Sequence, residues 1–141
     1  MSQSNTRVGD IRMVAGNDLT SKAGQLVKLI NDSGNAFVKS PGAITDLTVF
    51  VVIEGGAALS LVSVRPLDPG RNVRLVLNGT CNPGDVLVLA DCTQDADKGK
   101  VRALPTAAGT YRGLAIAEES GVDGQLVLAR PAMIGNIVIS A

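Results

Sequence analysis

The side chains that could perform chemistry are few, and they lie mainly in turns. The chain has 141 residues and no His, whereas catalysis needs a tuned acid, base or nucleophile. The carboxylates cluster in "DCTQDADKGK" (91–100) and "EESGVDG" (118–124). Asp in such Gly-punctuated segments ordinarily serves turn geometry. We therefore expect no catalytic residue and no enzymatic activity.

One of these turns resembles the opening of a calcium loop. Asp95, Asp97 and Gly99 follow the pattern Asp-x-Asp-x-Gly. An EF-hand also needs a Glu at the twelfth position and flanking helices. Here Thr106 holds that position and the flanking segments read as strands. The pattern favours a plain hairpin turn and leaves cation binding at this turn open.

The cysteines and the glycines show no site for a metal or a cofactor. Cys81 and Cys92 form no C-x-x-C pair, and no His is present to complete a zinc set. The N-terminus, "MSQSNTRVGD", lacks an apolar secretory segment, so we expect free thiols in a reducing cytoplasm. Neither the dinucleotide-binding nor the P-loop glycine pattern occurs. We expect no cofactor and no metal.

The charge balance argues against nucleic acid as a partner. Thirteen basic and thirteen acidic residues cancel, whereas a nucleic-acid surface needs a basic excess or stripe. The densest basic stretch, "VRPLDPGRNVR", holds Arg65, Arg71 and Arg74 and reads as a solvated loop. The longest apolar segment is interrupted by Glu54 and two glycines and falls short of the roughly 18 residues of a membrane span. We expect no membrane segment.

Short Val- and Leu-rich runs bounded by turn residues predict an all-β fold. About nine strands at intervals of roughly 8–12 residues are typical of a small β-barrel or sandwich. The sequence leaves room for little helix. The Val- and Leu-rich runs that carry this prediction lie at 25–30, 36–40, 47–53, 59–64, 73–78, 86–92, 100–104, 112–118, 124–130 and 134–140.

The first twenty residues read differently from the rest. Residues 1–20 are polar and aperiodic, which predicts an extended N-terminal arm, followed by a barrel-like domain over residues 21–141. Within the arm, Ile11, Met13 and Val14 are apolar enough for the segment to become ordered against a neighbour. We expect these three residues and Arg12 to contact a capsid or a neighbouring subunit.

Parts of the chain repeat one another. "AGQLVKL" (23–29), "PGDVLVL" (83–89) and "DGQLVLA" (123–129) each place Gly and a polar residue before a strand. Two longer stretches close on Arg65-Pro66 and Arg130-Pro131. These echoes fit a pseudo-duplicated barrel, and chance similarity among Val- and Leu-rich strands is the alternative.

The same glycine and valine spacing resembles a family of tailed-phage capsid decoration, or cement, proteins, formerly catalogued as a domain of unknown function. The resemblance covers roughly residues 20–131, and "RGLAIAE…DGQLVLA" is its best part. The N-terminal arm and the final "PAMIGNIVISA" segment depart from the family pattern. The residues that carry the resemblance are Gly24, Val27, Gly84, Asp85, Val88, Gly99, Val101, Gly113, Ala115, Gly124 and Leu128.

The resemblance implies a structural virion protein made in the host cytoplasm. It would bind the outside of an assembled head, contact the major capsid protein and sister subunits as a homotrimer, and cement neighbouring capsid subunits. Self-association also follows from the strands, because "LTVFVVI" has no Lys or Pro to guard an edge. The alternatives are another virion component, such as a tail or head-fibre base, and a small-ligand-binding barrel.

Overall fold

A computed structural model describes residues 9–141 and is built almost entirely from β-strands. The predicted all-β barrel-like class is confirmed, with ten strands. Within residues 9–141 the one helical element is a single 3-10 turn, Asp95–Asp97. The strands are β1 Ile11–Ala15, β2 Leu26–Asp32, β3 Asn35–Lys39, β4 Thr48–Glu54, β5 Leu61–Pro66, β6 Val73–Val76, β7 Val86–Leu89, β8 Val101–Ala103, β9 Gly109–Ala117 and β10 Leu126–Ile139.

The first five strands close into a barrel, here called the first barrel. Their order is β1-β3-β2-β4-β5, and β1 closes the ring by pairing parallel with β3 and antiparallel with β5. Alternate residues of each strand point inward, as the pleat requires. The barrel interior is filled by small branched and aliphatic side chains: Ala15, Leu19, Val27, Val38, Val52, Val62 and Val64.

The last five strands, here called the second sheet, repeat that arrangement. Their order is β6-β10-β9-β7-β8, and a parallel bridge between Leu77 and Val101 joins the two ends. Both units therefore share the same cyclic strand order. With the strands of each unit counted along the chain, the first strand lies antiparallel to the fifth and parallel to the third. The pseudo-duplication suggested by the sequence echoes is present in the strand topology.

The duplication extends to register, so most positions have a counterpart in the other unit. Val14 pairs with Leu61 in the first barrel, and Val76 pairs with Leu126 in the second sheet. Both units also have an irregularity at the same place, after Val27 in β2 and after Leu87 in β7. Residues at matching register positions are called counterparts below.

A four-residue turn recurs at the start of matching strands. In Lys22–Gln25, Asn82–Asp85 and Val122–Gln125, the fourth residue's N–H donates to the first residue's carbonyl. The third residue is a glycine with positive φ in each case (80°, 88° and 81°). This conformation costs glycine little because it lacks a Cβ. The repeated Gly-polar-strand pattern in the sequence is the signature of this turn.

The segment predicted to be an arm instead contributes to the first barrel. Residues 11–15 form β1, and Ala15 and Leu19 are fully buried. The alternation in "IRMVA" is short, and its partner strands lie far along the chain, so the local pattern resembles a polar arm. Barrel structure therefore begins at Ile11 rather than after residue 20. Residues 1–8 lie outside the described residues.

β9 and β10 continue as a two-stranded ribbon beyond the other strands of their sheet. Its paired residues run from Arg112 opposite Asn136 to Gly109 opposite Ile139, beyond Gly113, which still pairs with Val88 of β7. Two strands predicted separately, 124–130 and 134–140, thus form one long strand with an irregularity between Pro131 and Gly135.

Candidate interaction surfaces

The four residues predicted to make contacts divide between the two faces of β1. Ile11 and Met13 pack against the buried core of the first barrel. Arg12 is exposed and Val14 half-buried on the opposite, outer face. This placement leaves Arg12 and Val14 accessible for a partner, while Ile11 and Met13 contribute to the barrel itself. Contact with a capsid remains a prediction for all four residues.

Val14 belongs to an apolar row that crosses the outer face of the first barrel. Register places Ile30 opposite Phe37, Phe37 beside Val14, and Val14 opposite Leu61. Residues that face each other across paired strands point to the same side, so the four side chains form a continuous stripe, here called the outer row. Three are half-buried, and Leu61 is 56% exposed.

The counterpart of this row in the second sheet contacts the first barrel, although Leu126 remains 46% exposed. Val76 N–H donates to the carbonyl of Gly24 at 2.9 Å. A Cβ added at Gly24 would collide with Leu126 and lie 3.1 Å from Val76 Cγ2. The turn around Gly24 therefore packs directly against Val76 and Leu126, and the absence of a Cβ at Gly24 allows this close approach.

Further contacts hold the two units together at this junction. Leu26 N–H donates to the Gly99 carbonyl at 2.8 Å, and the Lys22 ammonium donates to the carbonyl of Asp95. Leu26 and Val51 belong to strands of the first barrel, but their side chains pack within the hydrophobic core of the second sheet. Burial lowers the pKa of Lys22. The two units thus share a buried boundary.

The Asp95–Asp97 turn is organised by lysines. Asp97 Oδ1 accepts from Lys100 Nζ at 2.9 Å, and Lys98 Nζ lies 3.9 Å from Asp95 Oδ1. In residues 9–141 no three His, Cys, Asp or Glu side chains gather as a metal site would require. The geometry is that of a turn stabilised by ion pairs, as the sequence favoured.

Both cysteines are free thiols, as predicted. Cys81 is buried and Cys92 half-buried. Burial, reinforced by nearby carboxylates, raises the pKa of both thiols. A raised pKa lowers the thiolate fraction at neutral pH, so neither is an activated nucleophile.

The arginine-rich segment is largely neutralised by acidic neighbours. Arg65 Nε lies 2.6 Å from Asp10 Oδ1, and Arg74 Nη1 lies 2.9 Å from Glu119 Oε1. The hydrogen bond from Arg65 is the main cause of the lowered pKa of Asp10. The prediction of a solvated loop is wrong for two of the three arginines, because Arg65 lies in β5 and Arg74 in β6. Arginines paired with carboxylates are less available to bind phosphate. No helix in residues 9–141 has the length and apolar character of a membrane span.

A second apolar surface lies where the ribbon leaves the second sheet. A pocket of about 180 Å³ is lined by Leu47, Leu67, Leu114 and Pro131, and Met133 at its rim is 94% exposed. Val138 farther along the ribbon is also exposed. Leu114 belongs to the core of the second sheet and Leu67 packs against it, whereas Leu47, Met133 and Val138 are exposed. Exposed apolar side chains that cluster commonly mark contact surfaces.

Comparison with known proteins finds a shared fold. The chain is similar to the N base of the head fibre gp8.5 in bacteriophage phi29, with a TM-score of 0.66 and 16% sequence identity. The likeness covers 88% of this chain and 93% of that one. At this identity it shows a common fold. No family model matches the chain, and no curated protein matches by sequence.

Sequence reasoning singled out Ile11, Arg12, Met13 and Val14 but did not reveal which residues lie beside them. Phe37 and Leu61, the neighbours of Val14, were not predicted. The repeated Gly-polar-strand pattern signals the duplication, but strand register is needed to match Val14 and Leu61 with Val76 and Leu126.

Proposed function

We propose that this chain is a structural component of a phage virion that sits on the outside of the assembled head. The observation that carries the proposal is the fold, because its two five-stranded units extend over nearly all of a head-fibre base. The glycine and valine motifs that resemble capsid decoration proteins support it independently. The mature location would be the capsid surface, after synthesis in the host cytoplasm.

The surface chemistry supports a protein shell as the partner. Thirteen basic and thirteen acidic residues cancel, and two of the arginines of the basic segment are paired with carboxylates. Exposed apolar side chains on the outer row and the ribbon offer area for contact with the major capsid protein and with sister subunits. We propose that three copies assemble and bridge neighbouring capsid subunits, which cements the shell without catalysis.

The test uses heads assembled from the major capsid protein of the same genome. Purified chain is mixed with expanded and with unexpanded heads, and bound protein is measured after sedimentation. A cementing role predicts saturable binding to expanded heads and a higher temperature of DNA release. Absence of binding to either form would contradict the proposal.

A second candidate, the base of a head fibre, is favoured by the same comparison, since the chain spans 93% of a head-fibre base. The two roles differ in what electron microscopy of the decorated head would reveal. A fibre base carries a projection that extends away from the shell, and its removal leaves head stability unchanged. A cement protein lies between capsomers, and its removal lowers the stability of the head.

A further inference from the structure

The ribbon, formed by Gly109–Arg112 of β9 and Asn136–Ile139 of β10, has two open edges. The pairing of β9 with β7 ends at Gly113, and that of β10 with β6 ends at Ala129. In an antiparallel pair, part of the N–H and C=O groups of each strand point away from the partner strand. In residues 9–141 no third strand pairs with these outward groups of the ribbon.

The rest of the fold closes its sheets. In the first barrel, β1 joins β3 to β5. In the second sheet, the edge strands β6 and β8 meet at the bridge between Leu77 and Val101, and the N–H of Val76 donates to the Gly24 carbonyl. Closure removes the unpaired backbone groups that would otherwise be a template for another strand. The ribbon therefore leaves such a template open in a fold that elsewhere covers it.

The sequence of the ribbon resembles that of an interior strand. Its segment "IGNIVI" (134–139) has no charged residue and no Pro, which are the usual guards of an open edge. Apolar side chains lie on both faces: Ile137 is paired with the buried Tyr111, whereas Val138 is 70% exposed opposite the exposed Thr110. Strands covered on both faces have such continuous apolar runs. Two strands alone are also marginally stable in water, so a further strand would stabilise the ribbon.

The two open edges match each other in number, length and direction. Each chain has one β9 edge and one β10 edge, both of four residues, and these strands run antiparallel. In a ring of copies whose ribbons point the same way, β10 of one copy therefore lies antiparallel to β9 of the next. Such a ring leaves neither edge open, whereas a single strand from a capsid protein would cover one and leave the other. Arg112 does not guard its edge, because its Nε donates to the Thr45 carbonyl of the first barrel at 3.0 Å.

We propose that the outer edge of Asn136–Ile139 in one copy pairs as a β-strand with the outer edge of Gly109–Arg112 in a second copy. Main-chain hydrogen bonds hold the two strands together, and side chains of the added strand cover Val138. The contact joins two different edges, so it is head-to-tail, and three copies close it into a ring with two strands from each chain. The inference rests on the self-association within the proposed function and specifies which strands meet.

Hydrogen exchange measures the proposed backbone bonds on the unmodified chain. Exchange is followed by mass spectrometry in dilute protein, in concentrated protein and in protein bound to heads. We expect peptides that cover Gly109–Arg112 and Asn136–Ile139 to exchange roughly tenfold more slowly once copies associate. The exposed turn Asn82–Asp85 is the internal control. Unchanged exchange of the ribbon, both in concentrated protein and on heads, would overturn the inference.

Disulfide cross-linking identifies the partner strand as one from a sister chain. In a Cys92→Ser background, a Val138→Cys chain is mixed with a size-tagged Thr110→Cys chain, and the mixture is oxidised in solution and on heads. We expect disulfide-linked dimers that contain one chain of each kind. The matched control replaces Val138→Cys with Val122→Cys, at an apolar residue of similar exposure. Mixed dimers no more abundant than in the control, or linkage of Val138→Cys only to itself, would overturn the head-to-tail contact.

A lysine on the open edge provides a measurement that does not depend on linkage geometry. Val138→Lys should weaken association of the copies by roughly tenfold or more, because an edge lysine opposes strand addition. Association is measured by analytical ultracentrifugation and by the cooperativity of binding to heads, and urea unfolding checks that the variant folds. Val122→Lys is the matched control. Equal behaviour of both variants and the parent chain in both measurements would contradict the proposed contact.

The two proposals fail in different ways. Mixed dimers and a protected ribbon without any binding to heads would uphold the contact and contradict the virion role. Saturable binding to heads without mixed dimers would uphold the virion role and overturn the contact. In that case, protection of the ribbon that occurs only on heads would identify a strand of the capsid protein as its partner.

Discussion

Leu59 occupies in the first barrel the position that Gly124 occupies in the second sheet. Leu59 N–H donates to the Ala15 carbonyl and Gly124 N–H to the Leu77 carbonyl, both at 2.8 Å, and Ala15 and Leu77 are themselves counterparts. The φ angles are 67° and 81°. A fourth copy of the recurring turn thus carries a leucine in the left-handed conformation, with its side chain 73% exposed.

Leu59→Gly is therefore expected to stabilise the protein. A leucine in the left-handed conformation destabilises the fold by about 1–2 kcal/mol, which glycine would relieve. The greater conformational freedom of glycine in the unfolded chain offsets roughly 0.5–1 kcal/mol of that stabilisation. The free energy of unfolding in urea should rise by about 0.5–1 kcal/mol. The reciprocal variant, Gly124→Leu, should lower it by a similar amount, since no atom obstructs a Cβ there. Destabilisation by Leu59→Gly would show that the leucine side chain contributes packing that outweighs its backbone strain.

The paired glycines Gly24 and Gly84 separate backbone strain from packing. Both have positive φ, so alanine at either position should cost about 1 kcal/mol from the backbone alone. Gly24→Ala should cost a further 1–3 kcal/mol or so, because the new Cβ collides with Leu126 at the boundary between the units. Chemical unfolding of both variants measures the difference. Equal losses of stability in the two variants would mean that the boundary between the units accommodates the added Cβ without a further loss of stability.

The strand pattern was predictable because each run of Val and Leu ends in residues that form turns. The barrel closure was not, because β1 depends on partners far along the chain at β3 and β5. The local alternation of five residues is too short to distinguish a strand from a polar arm. The junction of the units escaped detection for a similar reason: Gly24 and Leu126 approach only after both units have folded.

Asp46 should make stability depend on pH in the acidic range. Burial acts to raise the pKa of Asp46, but hydrogen bonds from Lys28 and from the N–H groups of Gly42 and Ala43 outweigh it, so the net shift is downward from 3.8. A carboxyl group whose pKa is lower in the folded than in the unfolded protein stabilises the fold at pH values above its unfolded pKa. That stabilisation is lost as the pH falls through its folded pKa. The contribution should therefore be complete near neutral pH, begin to fall near pH 3.8 and be lost as the pH passes through the lower pKa of the folded protein.

Asp46→Asn tests this dependence. The variant should lose about 1–2 kcal/mol at pH 7, because the Lys28 pair and the charged acceptor are removed. The difference from the parent chain should shrink in urea titrations at pH 3. Asp32→Asn, at an exposed carboxylate at the end of β2, is the control. A difference that stays constant between pH 7 and pH 3 would assign the loss to packing rather than to charge.

The cysteines should react slowly in the folded protein. Burial raises the pKa of both thiols, and Cys81 is also shielded from reagent. At pH 7.5 we expect two modified thiols in denaturant and much slower labelling without it, with half-buried Cys92 reacting before Cys81. Mass spectrometry of Cys81→Ala and Cys92→Ser identifies which thiol reacts. Rapid native labelling of Cys81 would indicate that the second sheet opens locally.

Truncation distinguishes an arm from a barrel strand. Deletion of residues 1–16 removes β1, which joins β3 to β5, together with the fully buried Ala15. The remaining strands would expose two open edges and part of an aliphatic core. We expect loss of the cooperative unfolding transition and aggregation of the truncated chain. Deletion of residues 1–8 retains every described strand and the Asp10–Arg65 ion pair, so it should leave the thermal midpoint nearly unchanged. A stable, cooperatively folding chain without residues 1–16 would show that β3 and β5 close the barrel by themselves and that the first sixteen residues act as an arm after all.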